Sequence, residues 1–316
     1  MMRYLIILLS DQSTSFCSYS SYDRHGEDKL IPIEILQKAI KYAFMEDLRI
    51  QFVLPPFALP QQYKDIIAST KASIIAPASS NYDADVLVIE GISGFKDIKV
   101  IPNICYVLRT NKEEFFKQYK EILERLVEIS RLNIVYSDVE NFTDHDFESY
   151  KGIMNEFTSY IKDLVLLGKN IQLNLLTDRL LNNEMNNCNA GYKTITLAPN
   201  GCFYICPAFY YAKEPSVGNI EKGLAIKNSQ LYKLGYAPLC KECDAYQCRR
   251  CVYLNKVLTR EVNIPSHEQC VMAHIERNAS RDLLMALREY VAYMPKIEIK
   301  EITYLDPFDN IKNKQL

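Results

Sequence analysis

Tryptophan is absent from these 316 residues, histidine occurs four times and glycine ten. The scarcity of glycine excludes one large class of function. No strand-like run is followed by a glycine-rich phosphate loop, and "GISG" at 91–94 has the wrong spacing and no Lys-Ser/Thr after it, so nucleotide binding by that route is ruled out. Excess positive charge is missing too. Lys plus Arg number 37 against 39 Asp plus Glu, a formal net charge of −2, which leaves no basic footprint for nucleic acid. Long apolar runs are also missing. The opening "MMRYLIILLS" holds about six apolar residues before Asp11, too few for a signal h-region or for the ~20 residues of a membrane span. The expectation is a cytoplasmic protein with no membrane partner, in a compartment where thiols stay reduced.

What the chain does hold is cysteine. Of ten, Cys17 and Cys105 lie in the first 187 residues and the other eight fall between 188 and 270. Core cysteines would scatter, so this segregation points to metal or to catalysis. Otherwise the composition is ordinary for a globular protein, 48% hydrophobic and 24% charged, with length for one large domain or two modest ones.

The first 180 residues alternate strand and helix. "YLIILLS" at 4–10 is a continuous apolar run, as in a strand covered on both faces. Helical spacing follows at 31–48, then a strand at 49–55 stopped by Pro55 and Pro56, a short helix, and strands at 73–79, 84–91 and 103–110. An amphipathic helix spans 111–130, a strand 132–138, a helix 143–167 and a strand 171–178. Such alternation predicts an α/β fold with a parallel sheet, either doubly wound or a partial barrel. In both, ligands sit at the carboxyl ends of the strands, and 11–30, after the first strand, is the longest early loop. The acidic stretch 137–149, with His145, reads as a solvated helix start or a metal site at a strand end.

Near residue 180 the pattern changes. Turn residues multiply up to 265, and a segment poor in core-forming runs but rich in cysteine is one that metal would organise. The sequence thus divides into 1–180, an α/β domain, and 181–316, a cysteine-rich domain with a C-terminal helix. That helix opens at Ser266 of a Ser-x-x-Gln capping box and carries a stripe of Leu284, Leu287 and Val291. The tail 308–316 reads as frayed.

The clustered cysteines are Cys188, Cys202, Cys206, Cys240, Cys243, Cys248, Cys251 and Cys270. Zinc is one reading, but paired Cys-x-x-Cys knuckles are usually separated by ~15–20 residues, whereas Asp244 to Gln247 is all that intervenes here. Iron–sulfur is the second: a cubane spreads its irons, and Cys243-x4-Cys248-x2-Cys251 has plant-type ferredoxin spacing. Reduced buried thiols are the third. Cys270 falls in the first turn of the last helix, where the dipole favours a thiolate, and His274 lies one turn on, as a donor to a ligand or a solvated residue. Arg249 and Arg250 stand between Cys248 and Cys251, to offset cluster charge or to face water.

The segment resembles a SPASM domain, the auxiliary-cluster module of radical SAM peptide-modifying enzymes. Cys188 takes the place of the first cysteine, Gly201-x4-Cys206 follows, then Cys240-x2-Cys243, Cys248, Cys251 and Cys270, with the two central spacings one residue short of the family's x5 and x3. "CPAFYYAKEPSVGNI" ends in the Ser-x-Gly-Asn common after the second cysteine. The resemblance implies two [4Fe-4S] clusters: one on Cys240, Cys243, Cys248 and Cys270, the other on Cys188, Cys206 and Cys251 with Cys202 as fourth ligand. It implies a radical SAM-like partial barrel before them. There, however, Ser10, Thr14 and Cys17 stand at the three positions of Cys-x3-Cys-x2-Cys, and Pro56 alone remains of the Gly-Gly-Glu-Pro turn. Hydroxyls stay protonated and ligate iron poorly, so a SAM-cleaving cluster of the usual kind is not expected. Cys17 is left as a relic, a free thiol or a catalytic contact to substrate.

Over nearly its full length the chain resembles the CXXX repeat peptide maturases, carried by "LSDQSTSFCSY", "GCFYICPAFYY", "CDAYQCRRC" and "PSHEQCVMAHIERNASR". This implies a Cys-rich precursor peptide as partner, and a separate modification enzyme if SAM chemistry is needed. The competing expectations are a maturase or maturase subunit, a non-catalytic peptide-presenting module, and a zinc-stabilised scaffold.

Overall fold

The computed structural model of the chain describes residues 2–17, 29–185, 188–290 and 297–309. Among these are β1 (Tyr4–Leu8), α1 (Ile33–Met45), β2 (Arg49–Val53), α2 (Gln61–Ala68), β3 (Ala72–Pro77), β4 (Val86–Glu90) and α3 (Ile92–Asp97). There follow β5 (Cys105–Thr110), α4 (Lys112–Arg125), β6 (Arg131–Tyr136), α5 (Asp144–Leu166), β7 (Gln172–Leu173) and α6 (Thr177–Leu181). The remainder holds β8 (Thr194–Leu197), β9 (Phe203–Tyr204), α7 (Pro207–Tyr211), a hairpin of β10 (Gly218–Asn219) and β11 (Gly223–Leu224), α8 (Val252–Thr259) and α9 (His267–Arg288). The 18–28 part of the early loop, Val291 of the expected stripe, and all but the start of the 308–316 tail lie outside the described residues.

One sheet runs β7-β6-β5-β4-β3-β2-β1-β8-β9, and β1 to β8 are parallel. Each of the first seven strands pairs with its neighbour in sequence, the order of a partial barrel. Strand β8 pairs with β1 on its other side, and β9 pairs antiparallel with β8. The sheet thus takes two strands from beyond residue 180, so the barrel and the cysteine-rich segment share it.

The two faces differ chemically. Register places Leu5, Ile7, Phe52, Leu108, Ile134 and Ile195 on one face, all fully buried, where an apolar layer supports the helices. The opposite face carries Tyr4, Ile6, Gln51, Ser73, Cys105, Arg109, Arg131, Thr194 and Thr196. Several polar groups on this face find partners, while the Thr196 hydroxyl is buried without one: Arg131 holds both oxygens of Asp178, and Asn133 Nδ2 donates to Cys105 Sγ at 3.2 Å.

The strand expected over 171–178 is cut to two residues. Asn174 takes over the ladder with its side chain, accepting from Ile134 N at 2.8 Å and donating to Ile134 O at 2.9 Å. Thr177 then closes on Leu173 N at 2.8 Å, and α6 begins. At α9, Ser266 caps Gln269 N at 3.3 Å as expected, but the Gln269 side chain turns to Asn255 instead of completing the box. Leu284 and Leu287 are buried, and α9 packs along α5. His145 is exposed in the first turn of α5, which is capped by Thr143 and Asp146.

Candidate metal centre

The thiols gather in two groups. Cys240 and Cys243 close a turn that packs with Met185 and Ala237, Cys248 follows it, and Cys270 lies in the first turn of α9. All four line one enclosed space with Arg250 and His274. Burial pushes Cys240 up to about 12, Arg250 opposing and Cys243 adding to it. Cys248 rises by burial and through Cys240 and Cys243. Cys270 rises by burial and through Cys248, Cys240 and Cys243, so at this helix start desolvation outweighs the dipole. Backbone N–H groups point at two of the sulfurs, Ala245 N at Cys243 Sγ and Arg250 N at Cys248 Sγ, each at 3.4 Å.

His274 is buried and sits 3.5 Å from Cys243 Sγ through Nε2. Its Nδ1 is paired with the Leu305 carbonyl, so Nδ1 carries the proton and Nε2 faces the thiol. His267 lies apart, half exposed, with Nδ1 2.5 Å from Asp306.

The second group is built from four distant parts of the chain. Cys188 follows α6, Cys206 caps α7, Cys251 caps α8, and Cys17 comes from the loop after β1. Cys17, Cys188 and Cys206 line a cavity of about 410 Å³ on the polar face of the sheet, against Ile6, Gln51 and Thr194. Burial, then Cys188 and Cys251, push Cys17 up to about 12, while Arg249 and Arg109 pull the other way. Cys206 is raised well above its usual range by burial and then by Cys17, Cys251 and Cys188. Sequence spacing does not signal the arrival of Cys17, because about 170 residues separate it from Cys188.

Cys202 is placed differently. It ends the turn joining β8 to β9, where Gly201 at φ 75° permits the left-handed step. Its N–H donates to Asn200 Oδ1 at 3.0 Å, and it bridges to Asn219. Burial, Asp11 and Tyr204, and last Cys202, raise the nearby Tyr210 hydroxyl above its usual range. Cys105 also stands apart, beside Arg131 and Asn133.

Between the two groups lies Arg250, 1% exposed, with left-handed backbone at φ 42°. Its Nη2 donates to Tyr232 O at 2.6 Å, while Nε and Nη1 are buried without partners. Cys240, Cys188 and Cys248 are the thiols that act on it. Arg249 faces the other way, toward Cys17, Cys105 and Glu276. The segment is anchored by Asp244, which takes Arg277 Nε and Nη2 at 2.8 Å each and Arg179 Nη2 at 3.1 Å. Among the described residues no three His, Cys, Asp or Glu side chains converge closely enough to share a single metal ion.

Donor chemistry fits an anionic iron–sulfur cluster. Seven buried or half-buried thiols with an exposed Cys188 beside them, N–H groups directed at sulfur, and a buried guanidinium with two vacant donors are the surroundings that offset the charge of thiolate-ligated iron. Thiols within reach of one another's charge, yet too far apart to share one ion, match a multi-iron core better than tetrahedral zinc at ~2.3 Å per Zn–S bond.

No family model matches the chain, and no curated protein matches it. Solved structures do. The chain is similar to anSMEcpe with bound AdoMet, at 13% identity and a TM-score of 0.62 over 92% of this chain and 96% of that one. For anSMEcpe with bound AdoMet and Cp18Cys peptide the identity is 12% and the TM-score 0.60, over 90% and 99%. Streptococcus suis SuiB bound to S-adenosylmethionine is 16% identical with a TM-score of 0.48, over 85% of this chain and 75% of that one. No described helix is long and apolar enough to cross a membrane. The likeness to anSMEcpe covers 92% of the chain, and the α/β fold, a partial barrel with a parallel sheet, is shared with that structure.

Proposed function

We propose that this protein serves in the maturation of a Cys-rich, CXXX-repeat peptide, holding two [4Fe-4S] clusters without a SAM-cleaving cluster of its own. The observation that carries the reading is Arg250, a buried cation with two unpartnered N–H donors set between two groups of thiols. Left alone, such a charge costs several kcal/mol, and an anionic cluster on either side offsets it. Cys240, Cys243, Cys248 and Cys270 would hold one cluster; Cys188, Cys206 and Cys251 would supply three ligands of the other. When bound, such clusters supply one-electron transfer and stabilise the fold around them. His274 would then sit against Cys243, with its ring fixed by the Leu305 carbonyl.

Support for a peptide partner comes from the fold of anSMEcpe, which is seen with a bound peptide. The loop after β1 supports the missing SAM cluster. Ser10 Oγ accepts from Gln12 N at 3.1 Å within the loop, Thr14 N donates to Leu54 O at 3.1 Å past the end of β2, and neither position offers a thiolate. In this reading a separate enzyme supplies any SAM chemistry, and this protein binds the peptide and passes electrons or presents it.

Anaerobic reconstitution with iron and sulfide tests the reading. About eight irons and eight sulfides per chain are expected, with no 5′-deoxyadenosine formed when the reduced protein meets AdoMet. About two zincs and no sulfide would leave the scaffold reading standing instead. Appreciable 5′-deoxyadenosine would overturn the assignment of Ser10 and Thr14. A labelled peptide with repeated Cys-x-x-x units should bind the loaded protein more tightly than its Cys→Ser counterpart.

A further inference from the structure

We infer that Cys17, from the loop after the first strand, is the fourth ligand of the Cys188, Cys206 and Cys251 site, so that the loop at the barrel mouth closes a cluster of the cysteine-rich domain. The inference rests on the cluster reading above and adds to it the residue that completes the second site.

Three independent features of the geometry meet at this point. Cys17 lines the same cavity as Cys188 and Cys206, on the polar face of the sheet. The stretch that precedes it, residues 11–14, is fastened on two sides. Ser13 Oγ donates to Val53 O at 2.7 Å and Thr14 N to Leu54 O at 3.1 Å, which docks the loop on the end of β2. On the other side, Tyr210 donates to Asp11, and Tyr211 donates to Ser13 O at 2.8 Å. Both tyrosines belong to α7, the helix that Cys206 caps, so the loop and Cys206 are held by the same short helix. Cys251 opens α8, whose Tyr253 packs edge-on against Phe209 of α7 with ring centroids 5.5 Å apart, and it lies within range of the charge of both Cys17 and Cys206.

The alternative fourth ligand is committed elsewhere. Cys202 belongs to the β8–β9 turn, where its backbone is tied to Asn200, Ala198 and Asn219. On ligation each thiol gives its proton to solvent as sulfur binds iron, and no oxidant or reductant is required. With four protein sulfurs the site has no open corner for a peptide thiol. The position that would hold a SAM cluster's third cysteine serves here to clamp the barrel to the domain that follows it.

Iron and sulfide analysis with electron paramagnetic resonance, on anaerobically reconstituted Cys17→Ala and Cys202→Ala proteins, tests the inference. Cys17→Ala should hold about half the wild-type iron, or show a three-iron signal on oxidation, while Cys202→Ala matches wild type. Full iron and an unchanged spectrum in Cys17→Ala, or iron loss in Cys202→Ala, would overturn it. Differential alkylation of the wild-type protein needs no variant and so is immune to misfolding. Cys17 should be shielded in the loaded protein and label once a chelator strips the iron, whereas Cys202 labels alike in both. Equal labelling of Cys17 overturns the inference while leaving two clusters intact. A wild-type protein that takes up no iron and sulfide removes the cluster reading itself, and this inference with it.

Discussion

The pair Arg249-Arg250 shows how far single residues are legible. The sequence places two cations inside the cysteine segment, but not which one faces the thiols. The two side chains serve different places: Arg249 lies beside Cys248 and Glu276, and Arg250, at left-handed backbone, lies within range of the charge of Cys240, Cys188 and Cys248. A buried guanidinium with vacant donors is a penalty in the stripped protein and a counter-charge in the loaded one. Arg250→Met should therefore leave the stripped protein as stable as before or slightly more so. The loaded protein should melt several degrees lower. Thermal unfolding of both forms checks this. If the gap between loaded and stripped melting temperatures does not narrow, Arg250 answers no bound anion.

At the level of elements, the alternation of strands and helices up to α5 was legible because apolar periodicity there reflects real burial, as in Leu5, Ile7, Phe52 and Leu108. It failed at β7, where Asn174 and Thr177 replace backbone pairing by side-chain bonds that carry no periodic signature. It also missed β8, whose Thr194 and Thr196 face the polar interior and whose partner is β1, far away in sequence. The cysteine segment has little core of its own and is held by Asp244 between Arg179 on α6 and Arg277 on α9, both nearly inaccessible. Burial acts to raise the Asp244 carboxyl, but those two arginines together hold it below its usual range. Asp244→Ala leaves two buried guanidinium groups without their anion. A loss of roughly 2–4 kcal/mol is expected, less than for a fully enclosed pair because the Asp244 side chain is one-third open. Urea denaturation of the stripped protein measures it. A change below about 0.5 kcal/mol would mean that the clamp does not organise this segment.

For the molecule as a whole, the SPASM resemblance implies the grouping of Cys240, Cys243, Cys248 and Cys270, whereas spacing alone marks out Cys243, Cys248 and Cys251. Neither could bring Cys17 to Cys206, since that meeting depends on β8 closing against β1 and on α7 reaching the loop through Tyr210 and Tyr211. The arrangement has a consequence for stability. Metal binding free energy is released only when all ligands are in place, so it is shared by every segment that supplies one. If Cys17 ligates iron, loading must stabilise the N-terminal loop as well as the 188–270 segment. Hydrogen exchange followed by mass spectrometry should then show slower exchange on loading at Ser13 and Thr14, whose amides pair with Ser10 O and Leu54 O. The amides of α4, which packs on α3 and α5 rather than on either thiol group, should exchange as before. Cys17→Ala should abolish the effect in the loop while preserving it around Cys240 to Cys248. Slowing confined to 188–270 in the wild-type protein would mean that the loop after β1 supplies no ligand and that the shared sheet and side-chain packing alone join it to the cysteine-rich segment.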